Sequence, residues 1–380
     1  MDIGRLTRRQ ALIGGSALVA TRAMAAPDPL DALVRAQMAA ASIPGLVLGV
    51  TRAGRAVANR TYGFADLARR RPVTADSMFH IASVTKTVTA LAMLRLVDQR
   101  RIALDAPIAP HLDFTIQGEG AGDITLRHLL MHTSGISDAR YYEIDFRTRG
   151  RDAAMPLGDL VRAYLAEGGR YAGVGNLRTR PGTAWDYSNI GFALLGYLDT
   201  RLAGRDLREV TRVEVFAPLG LRHTAWSIAE TPADRSVIPY EAGEQGIAPV
   251  DPVGFPDWPA GMLRASIGDL TRLIAIAANG GVAEGRRFAS ASSVAAMLDM
   301  QRPARLPEWL TGQGLGWQQS VLDGVPRANH WGGDPGVFTM AYVDPARRTG
   351  VVLLSNLSAT AESRAAMKAI VAHALKHATG

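Results

Sequence analysis

The stretch from residue 84 to residue 97 constrains the fold more than any other part of this sequence. Its only non-apolar side chains are Thr85, Lys86, Thr87, Thr89 and Arg95. A helix that is apolar on nearly all of its faces is buried inside a large protein. The sequence therefore predicts a central buried helix, and a chain of 380 residues that is 47% hydrophobic can surround it with a core.

Two polar residues that can do chemistry stand at the start of this helix. Ser83 and Lys86 are three residues apart, so their side chains share one face of a helix. The amino end of a helix carries partial positive charge, which favours negative charge developing at the Ser83 oxygen. The spacing predicts a hydroxyl beside an amine; a helix cap followed by an ordinary first-turn residue is the plain structural alternative.

Lysine is rare in this chain. Only Lys86, Lys368 and Lys376 occur among 42 lysine and arginine residues. Arginine stays charged in proteins, whereas a desolvated lysine can lose its proton. Lysine at position 86 therefore fits a proton acceptor better than a member of an ion pair.

Residues 1–25 have the composition of an export signal. Three early arginines precede a short apolar run from Ala11 to Ala20, and residues 23–25 fit a small-residue cleavage site. The run is too short to span a bilayer, which needs about 20 apolar residues. Residues 7–12 resemble a twin-arginine signal, and a general secretory leader is the alternative. We expect an exported protein, periplasmic or secreted, whose mature chain has no transmembrane segment.

Charge and cysteine content exclude several classes of function. The formal net charge is +7, of which +3 lies in the first 25 residues, and the other basic residues are scattered. We therefore expect no nucleic-acid partner. Without cysteine the chain has no disulfide framework, thiolate metal site or cysteine nucleophile. His128 and His132 have the spacing of a zinc helix, but Leu129 stands where glutamate is needed, so we expect no metal and no cofactor.

Strand signals at both ends of the chain predict one sheet. Apolar runs at 46–51 and 56–62 predict a hairpin near the amino end, and runs at 337–343 and 351–355 predict another near the carboxyl end. An isolated hairpin is barely stable in water. We therefore expect the two hairpins to pair in one antiparallel sheet flanked by helices, which is an α/β (α+β) fold.

The middle of the chain is rich in helical patterns and loops. We expect a single catalytic domain from residue 26, with a sheet lobe at about 27–80 and 290–380. A mainly helical lobe at about 81–289 would lie beside the sheet. A cleft between two lobes is the usual place for a site.

Two further short motifs complete a pattern with Ser83 and Lys86. Tyr187-Ser188-Asn189 lies on a loop before a predicted helix, and His330-Trp331-Gly332-Gly333 stands just before the last hairpin. Together they resemble the S-x-x-K, Y-x-N and K/H-x-G motifs of the serine β-lactamase and penicillin-binding-protein superfamily. The chain is most similar to the branch with class C β-lactamases, DD-peptidases with a histidine third motif, D-aminopeptidases and family VIII esterases.

The resemblance implies a serine hydrolase that forms an acyl-enzyme on Ser83. Lys86 and Tyr187 are the candidate bases for acylation, and the choice between them stays open. Tyr187 is also the expected relay of a proton to the leaving group. Asn189 is expected to hold Lys86 and to donate to the substrate. The resemblance places the oxyanion hole at the backbone N–H groups of Ser83 and Gly333.

The third motif departs from that of many β-lactamases of this superfamily. His330 stands where lysine is common, and histidine is mostly neutral at pH 7. Trp331 replaces a small hydroxyl residue, which removes a hydrogen-bond donor and adds bulk. Gly332 and Gly333 suit a close approach of the backbone to a ligand. The histidine at 330 and the tryptophan at 331 both weaken the recognition of a substrate carboxylate, so we expect an ester or a neutral amide as substrate.

Two alternative functions follow from the same motifs. One is a D-alanyl-D-alanine carboxypeptidase or a class C-like β-lactamase, and the other is a binding relative without turnover. The G-x-S-x-G string of α/β-hydrolases does not occur in this sequence. The expected partner is thus a small ester, amide or β-lactam, and the sequence predicts no particular oligomeric state.

Overall fold

The computed structural model describes Met1 and residues 28–378, so the rest of the predicted export signal lies outside the described residues. The strands are β1 (Gly45–Arg52), β2 (Arg55–Asp66), β3 (Arg71–Pro72), β4 (Phe79–His80), β5 (Thr148–Arg149), β6 (Thr224–Ala225), β7 (Tyr240–Gly243), β8 (Gly246–Pro249), β9 (Val253–Gly254), β10 (Arg264–Ala265), β11 (Val282–Ala283), β12 (Arg286–Arg287), β13 (Gly312–Gln313), β14 (Gln318–Leu322), β15 (Val325–Asp334), β16 (Val337–Asp344) and β17 (Thr349–Ser355). The helices are α1 (Pro29–Ala40), α2 (Thr85–Asp98), α3 (Leu126–Leu130), α4 (Ala139–Ile144), α5 (Leu157–Leu165), α6 (Asn189–Ala203), α7 (Leu207–Thr211), α8 (Trp258–Gly261), α9 (Ile267–Ala278), α10 (Ala291–Met297) and α11 (Ala361–His377).

Eight strands form one antiparallel sheet in the order β13-β14-β15-β16-β17-β1-β2-β3. The two predicted hairpins meet at its centre, where β1 pairs with β17 from Leu46 opposite Ser355 to Arg52 opposite Thr349. Both strands are buried almost throughout, because their apolar side chains point to covered faces on either side of the sheet. The prediction of one antiparallel sheet from both ends of the chain is confirmed.

Helices cover both faces of this sheet. On one face α1 and α11 pack over an apolar cluster that includes Val34, Leu353 and Ile370. On the other face α9 packs against β1, β2 and β17. The approach of α9 is close, since a Cβ on Gly49 of β1 would lie only 1.9 Å from Thr271 Oγ1. Glycine at position 49 is therefore what allows α9 to lie against the sheet.

The helix α2 lies at the centre of the helical part of the molecule. Eleven of its fourteen residues are buried. It packs against α6 and α8, and its apolar side chains belong to the larger hydrophobic core. The predicted buried helix is confirmed, and Ser83 lies in a 3₁₀ turn, Ala82–Val84, directly before it.

The strands β14 and β15 extend the sheet beyond the predicted hairpin. Sequence reasoning placed His330 just before that hairpin, whereas the structure places it inside β15. Pro326 and the two glycines at 332 and 333 weaken the local strand signal, because proline and glycine are depleted in strands. Pairing with β16, from Ala328 opposite Val343 onwards, outweighs that local preference.

The division into a sheet lobe and a helical lobe stays a prediction. Helix α9 belongs to the segment predicted for the helical lobe, and it packs on the sheet. Among the helices of residues 28–378, none combines the length and the apolar character needed to cross a bilayer.

Candidate active site

Ser83 is presented by a strained turn at the start of α2. Ala82 has a φ of +46°, which is uncommon for a residue that carries a side chain. Lys86 follows on the first turn of the helix, and its Nζ lies 3.2 Å from Ser83 Oγ. Ser83 is partly accessible, whereas Lys86 is fully buried. The hydroxyl and the amine therefore lie side by side, as their spacing predicts.

Two carbonyl oxygens hold the Lys86 amine. Its Nζ lies 2.7 Å from Asn189 Oδ1 and 2.8 Å from the backbone oxygen of Ala260. Burial lowers the pKa of Lys86 to about 8, although nearby carboxylates, chiefly that of Asp257, act in the opposite direction. A fraction of the amine is therefore neutral at neutral pH and able to accept a proton.

Tyr187 places a second titratable group at the nucleophile. Its hydroxyl interacts with the Ser83 side chain, and the Lys86 Nζ lies 4.8 Å from the centre of the tyrosine ring. The ring packs on His132, with the two ring centroids 4.4 Å apart. Burial raises the pKa of Tyr187 above its usual value, so the hydroxyl keeps its proton at neutral pH.

The strand β15 brings the third motif against Ser83. A Cβ on Gly332 would lie 2.8 Å from the Ser83 backbone nitrogen, so a larger residue does not fit. The next residue, Gly333, is exposed. In the described part of the sheet, β14 pairs with β15 only as far as Asn329. Residues 330–334 therefore present an unpaired strand edge beside the nucleophile, where a substrate can bind.

His330 is buried and neutral. Its Nδ1 lies 2.8 Å from the Trp331 backbone oxygen, to which an Nδ1–H donates, and its Nε2 has no hydrogen-bond partner among the described residues. Burial, and to a smaller extent the Lys86 charge, lower the pKa of His330 to about 3. His330 therefore offers no positive charge to a substrate at neutral pH.

The Trp331 side chain faces away from the nucleophile. Side chains alternate along a strand, so Trp331 and His330 lie on opposite faces of β15. The Trp331 Nε1 donates to Tyr342 Oη over 2.8 Å, and its ring stacks on Trp309 with centroids 5.6 Å apart. The structure thus brings Lys86 and Gly332 to Ser83 and brings Asn189 to Lys86, and it places the Trp331 ring on the opposite face of β15 from His330.

A segment at the start of α4 organises the second motif, and the sequence analysis missed it. The Asp138 carboxylate accepts hydrogen bonds from the Ser188 hydroxyl over 2.8 Å and from the backbone nitrogens of Asn189 and Ile190. The Tyr142 hydroxyl accepts from Asn189 Nδ2 over 2.9 Å. Asn189 is therefore held at both backbone and side chain, which aims its Oδ1 at the lysine. No short motif links positions that stand 51 residues apart.

Helix α8 supplies the other support of the lysine. Its N-cap residue Asp257 accepts a hydrogen bond from Tyr141 Oη over 2.6 Å. The Thr89 hydroxyl of α2 donates to the Pro259 oxygen over 2.7 Å, which ties the two helices together. The Ala260 oxygen is fixed next to the amine as a result. Sequence analysis missed this support, because a backbone carbonyl has no residue type that marks it.

Histidines near the site serve as neutral packing and hydrogen-bonding groups. Within residues 28–378, no three histidine, aspartate or glutamate side chains group closely enough to hold a metal ion. His132 Nδ1 accepts a hydrogen bond from the Ser188 backbone nitrogen over 3.1 Å. Burial lowers the pKa of His132 well below its usual value. The ring therefore positions the loop of the second motif as a neutral acceptor.

Known proteins of three kinds resemble this chain. The family model for beta-lactamase matches residues 30–376. Penicillin-binding protein 4 of Amycolatopsis lactamdurans is 33% identical over 298 residues, covering 75% of this chain and 73% of that protein. Esterase EstB of Burkholderia gladioli is 30% identical over 367 residues, covering 86% of this chain and 89% of that protein. The D-amino acid amidase of Ochrobactrum anthropi SV3, solved with L-phenylalanine amide, shares the fold at 21% identity, with a TM-score of 0.75 over 93% of this chain and 100% of that chain.

Proposed function

This chain belongs to the beta-lactamase family of serine hydrolases, and we propose that it is an esterase whose acyl-enzyme forms on Ser83. An acyl-enzyme mechanism is general to the family. The observation that carries the proposal is the set of three contacts at the Lys86 amine. They favour transfer of the serine proton to the lysine.

A neutral amine has two N–H groups and one lone pair. Asn189 Oδ1 and the Ala260 oxygen can only accept hydrogen bonds, so they take both N–H groups of a neutral Lys86. The lone pair is then left for the remaining neighbour, the Ser83 hydroxyl 3.2 Å away. This geometry supports Lys86 as the acylation base, with Tyr187 as the alternative base.

In the acylation of Ser83, Lys86 takes up the serine proton and Tyr187 supplies a proton to the leaving group. Ser83 Oγ bonds to the ester carbonyl carbon while its proton passes to Lys86 Nζ, and the N–H groups of Ser83 and Gly333 donate to the oxyanion. The bond from carbon to the alcohol oxygen then breaks. Tyr187 gives its hydroxyl proton to that oxygen and regains one from Lys86. Water next attacks the acyl-enzyme, its oxygen joins the acid product, and Ser83 recovers a proton.

An uncharged ester suits this site better than a substrate recognised by its carboxylate. His330 is neutral, and Trp331 supplies no hydroxyl at the second position of the motif. Identity of 30% with an esterase over 86% of the chain supports the same preference. Identity of 33% with a penicillin-binding protein supports a second candidate, a carboxypeptidase or weak β-lactamase.

Labelling with a fluorophosphonate tests the proposal. We expect a covalent adduct on Ser83 that is absent from Ser83→Ala, together with hydrolysis of p-nitrophenyl acetate that falls by about 1,000-fold or more in the same variant. Val213→Ala, on the π-helical turn Arg212–Phe216 and outside the contacts of the site, serves as the control. A folded protein without an adduct would contradict the hydrolase assignment of Ser83. Much faster hydrolysis of a chromogenic cephalosporin than of short esters would favour the second candidate.

We also propose that the protein is exported. The basic start, the short apolar run and the small-residue pattern within residues 1–25 support this proposal. Mass spectrometry of the periplasmic and culture fractions should find a mature chain that starts at residue 26. A chain found only in the cytoplasm at full length would refute it.

A further inference from the structure

Tyr142 is the most exposed aromatic residue within residues 28–378, and its hydroxyl is part of the catalytic site. The residue is 65% exposed and lies on the short helix α4. Its hydroxyl accepts from Asn189 Nδ2 over 2.9 Å, and Asn189 Oδ1 lies 2.7 Å from Lys86 Nζ. A single amide side chain therefore stands between this exposed tyrosine and the amine beside Ser83.

The Tyr142 ring is held in place although it is open to solvent. The hydrogen bond from Asn189 fixes its hydroxyl end, and the ring packs edge-on against Tyr141 with centroids 5.7 Å apart and planes at 78°. Tyr141 is buried, donates to Asp257 over 2.6 Å and stacks on Phe146 with centroids 5.0 Å apart. A single exposed aromatic residue is common on protein surfaces. One that is fixed at both its hydroxyl and its ring next to a nucleophile offers a preorganised apolar surface.

The proposed mechanism indicates which part of the substrate meets this ring. In the tetrahedral intermediate the carbon bonded to Ser83 Oγ also carries an oxyanion, a leaving oxygen and an acyl chain. The oxyanion lies at the N–H groups of Ser83 and Gly333, and the leaving oxygen lies at the Tyr187 hydroxyl. The Asn189 side chain takes neither of these two groups. The acyl chain is therefore left for the side of the site where Asn189 and Tyr142 lie.

We propose that the Tyr142 ring is the wall of the acyl subsite, named here the acyl wall, and that the preferred esters have an acyl chain ending in a flat aromatic ring. This inference rests on the proposed esterase function and specifies the acyl part of its substrate. A ring that packs on Tyr142 gains from an edge-on or offset contact and from the release of water.

The charges near the acyl wall fit an uncharged acyl chain. Asp138 and Asp257 are the carboxylates of the segments that hold Tyr142 and Tyr141, and both are buried. Asp138 accepts from the Ser188 hydroxyl and Asp257 from that of Tyr141. Neither carboxylate is therefore open to a cationic acyl chain, and an aromatic hydrocarbon ring is the group that this surface suits.

Two esters with the same leaving group test the acyl wall. The p-nitrophenyl esters of 3-phenylpropanoic acid and propanoic acid differ only in a phenyl ring on the acyl chain. We expect Tyr142→Ala to lower the ratio of their kcat/KM values by about three- to tenfold, because one ring contact is lost. Tyr142→Phe loses the same hydrogen bond to Asn189 but keeps the ring, so this matched control should retain the ratio of the unmodified enzyme. Equal ratios in the two variants would overturn the acyl wall.

The ratio separates recognition by the ring from support of Asn189. Weaker support of Asn189 slows both esters alike and cancels in the ratio. Two further ester pairs test the position and the chemistry of the subsite. For 2-phenylethyl acetate and ethyl acetate, which differ in the alcohol, a larger change in Tyr142→Ala than for the acyl pair would place the ring at the leaving group and refute the inference. An equal loss with the 3-cyclohexylpropanoate ester would refute the preference for a flat ring.

A binding measurement separates the acyl wall from the esterase proposal. Binding of 3-phenylpropanamide to Ser83→Ala needs no turnover and brings no charge into the site. In that background we expect Tyr142→Ala to bind it about three- to tenfold more weakly than Tyr142→Phe does. If the enzyme hydrolyses no ester but this difference is found, the proposed function fails and the acyl wall stands. Ester hydrolysis together with equal binding by the two variants would refute the acyl wall alone.

Discussion

A buried aspartate lies at each end of helix α6, and only one of the two has hydrogen-bond partners among the described residues. Asp138 lies at the amino end, where a hydroxyl and two backbone nitrogens donate to it. Asp199 lies near the carboxyl end, and neither of its carboxylate oxygens has a hydrogen-bond partner among the described residues. Burial raises the pKa of Asp138 to about 6, although its hydrogen bonds act in the opposite direction. Burial raises the pKa of Asp199 to about 7, and the nearby charge of Glu214 adds to the increase.

The comparison shows that burial of a charge does not by itself mark a functional residue. A carboxylate at the amino end of a helix is favoured by the free N–H groups there, and one near the carboxyl end is disfavoured by the helix dipole. The hydrogen bonds of Asp138 fix the backbone of Asn189, whose side chain contacts the Lys86 amine. Asp199 makes no such contact, so we expect its charge to cost stability without serving the reaction.

Removing the carboxylate at the amino end should have the largest effect. We expect Asp138→Ala to lower kcat by about 100-fold, because Asn189 shifts and misplaces the lysine. Three buried donors lose their acceptor, so the free energy of unfolding should fall by about 3 kcal/mol. Steady-state kinetics and urea unfolding measure the two effects. Full activity in folded Asp138→Ala would show that Asn189 keeps its position without the hydrogen bonds to Asp138.

Neutralising Asp199, at the carboxyl end of α6, should raise the stability of the protein instead of lowering it. The folded-state pKa of Asp199 is raised to about 7, so the folded protein binds a proton that the unfolded chain releases at lower pH. Stability is therefore lost as pH rises from about 4 to about 7. Asp199→Asn should be more stable than the unmodified protein at pH 8, by on the order of 4 kcal/mol, and nearly equal to it at pH 4. We expect kcat of Asp199→Asn to equal that of the unmodified enzyme. A gain in stability that is the same at pH 4 and pH 8 would contradict the raised pKa of Asp199.

A negative charge at position 189 tests whether the side chain there controls the pKa of Lys86. In the unmodified enzyme kcat/KM should rise with pH through an inflection near the Lys86 pKa of about 8, since the base must be neutral. Asn189→Asp puts a carboxylate against the amine and raises its pKa, so the inflection should move up by about one unit and the rate at pH 7 should fall about tenfold. Asp199→Asn should leave the inflection in place. An inflection that does not move in Asn189→Asp would favour Tyr187 as the base.

The smallest effect is expected from the hydroxyl that holds the Asn189 side chain. Tyr142→Phe keeps the ring and removes one hydrogen bond, so kcat should fall about three- to fivefold. The pH inflection of kcat/KM should stay near its original value, because Oδ1 still accepts from the lysine. A loss as large as that of Asp138→Ala would show that the side-chain contact, and not the backbone contacts, positions Asn189.

Much of the frame around the site could be predicted from the sequence. The apolar run around Lys86 predicts a buried helix, and the apolar runs near both ends of the chain predict the hairpins that meet where β1 pairs with β17. The three motifs predict which side chains meet, and the contact of Lys86 with Asn189 confirms that part of the prediction. The catalytic roles of these residues are predictions.

The rest of the site depends on partners that are far apart in the sequence. Asp138, Tyr142 and the Ala260 oxygen support the reacting groups, yet each is an ordinary residue in its own segment. Every residue has a backbone oxygen, so the residue type does not show which one contacts Lys86. Ala260 is also 174 positions away from Lys86 in the sequence.

The sequence by itself determined the buried helix, the paired terminal hairpins and the hydroxyl and amine that lie side by side at the start of that helix. Each of these is encoded in spacing along a few turns or strands, where covalent geometry fixes which side chains share a face. Only the tertiary structure decided which carbonyl oxygens contact the amine, which carboxylate at α6 has partners, and which part of β15 stays unpaired beside Ser83. Those outcomes depend on contacts between distant segments, and local pattern carries no information about them.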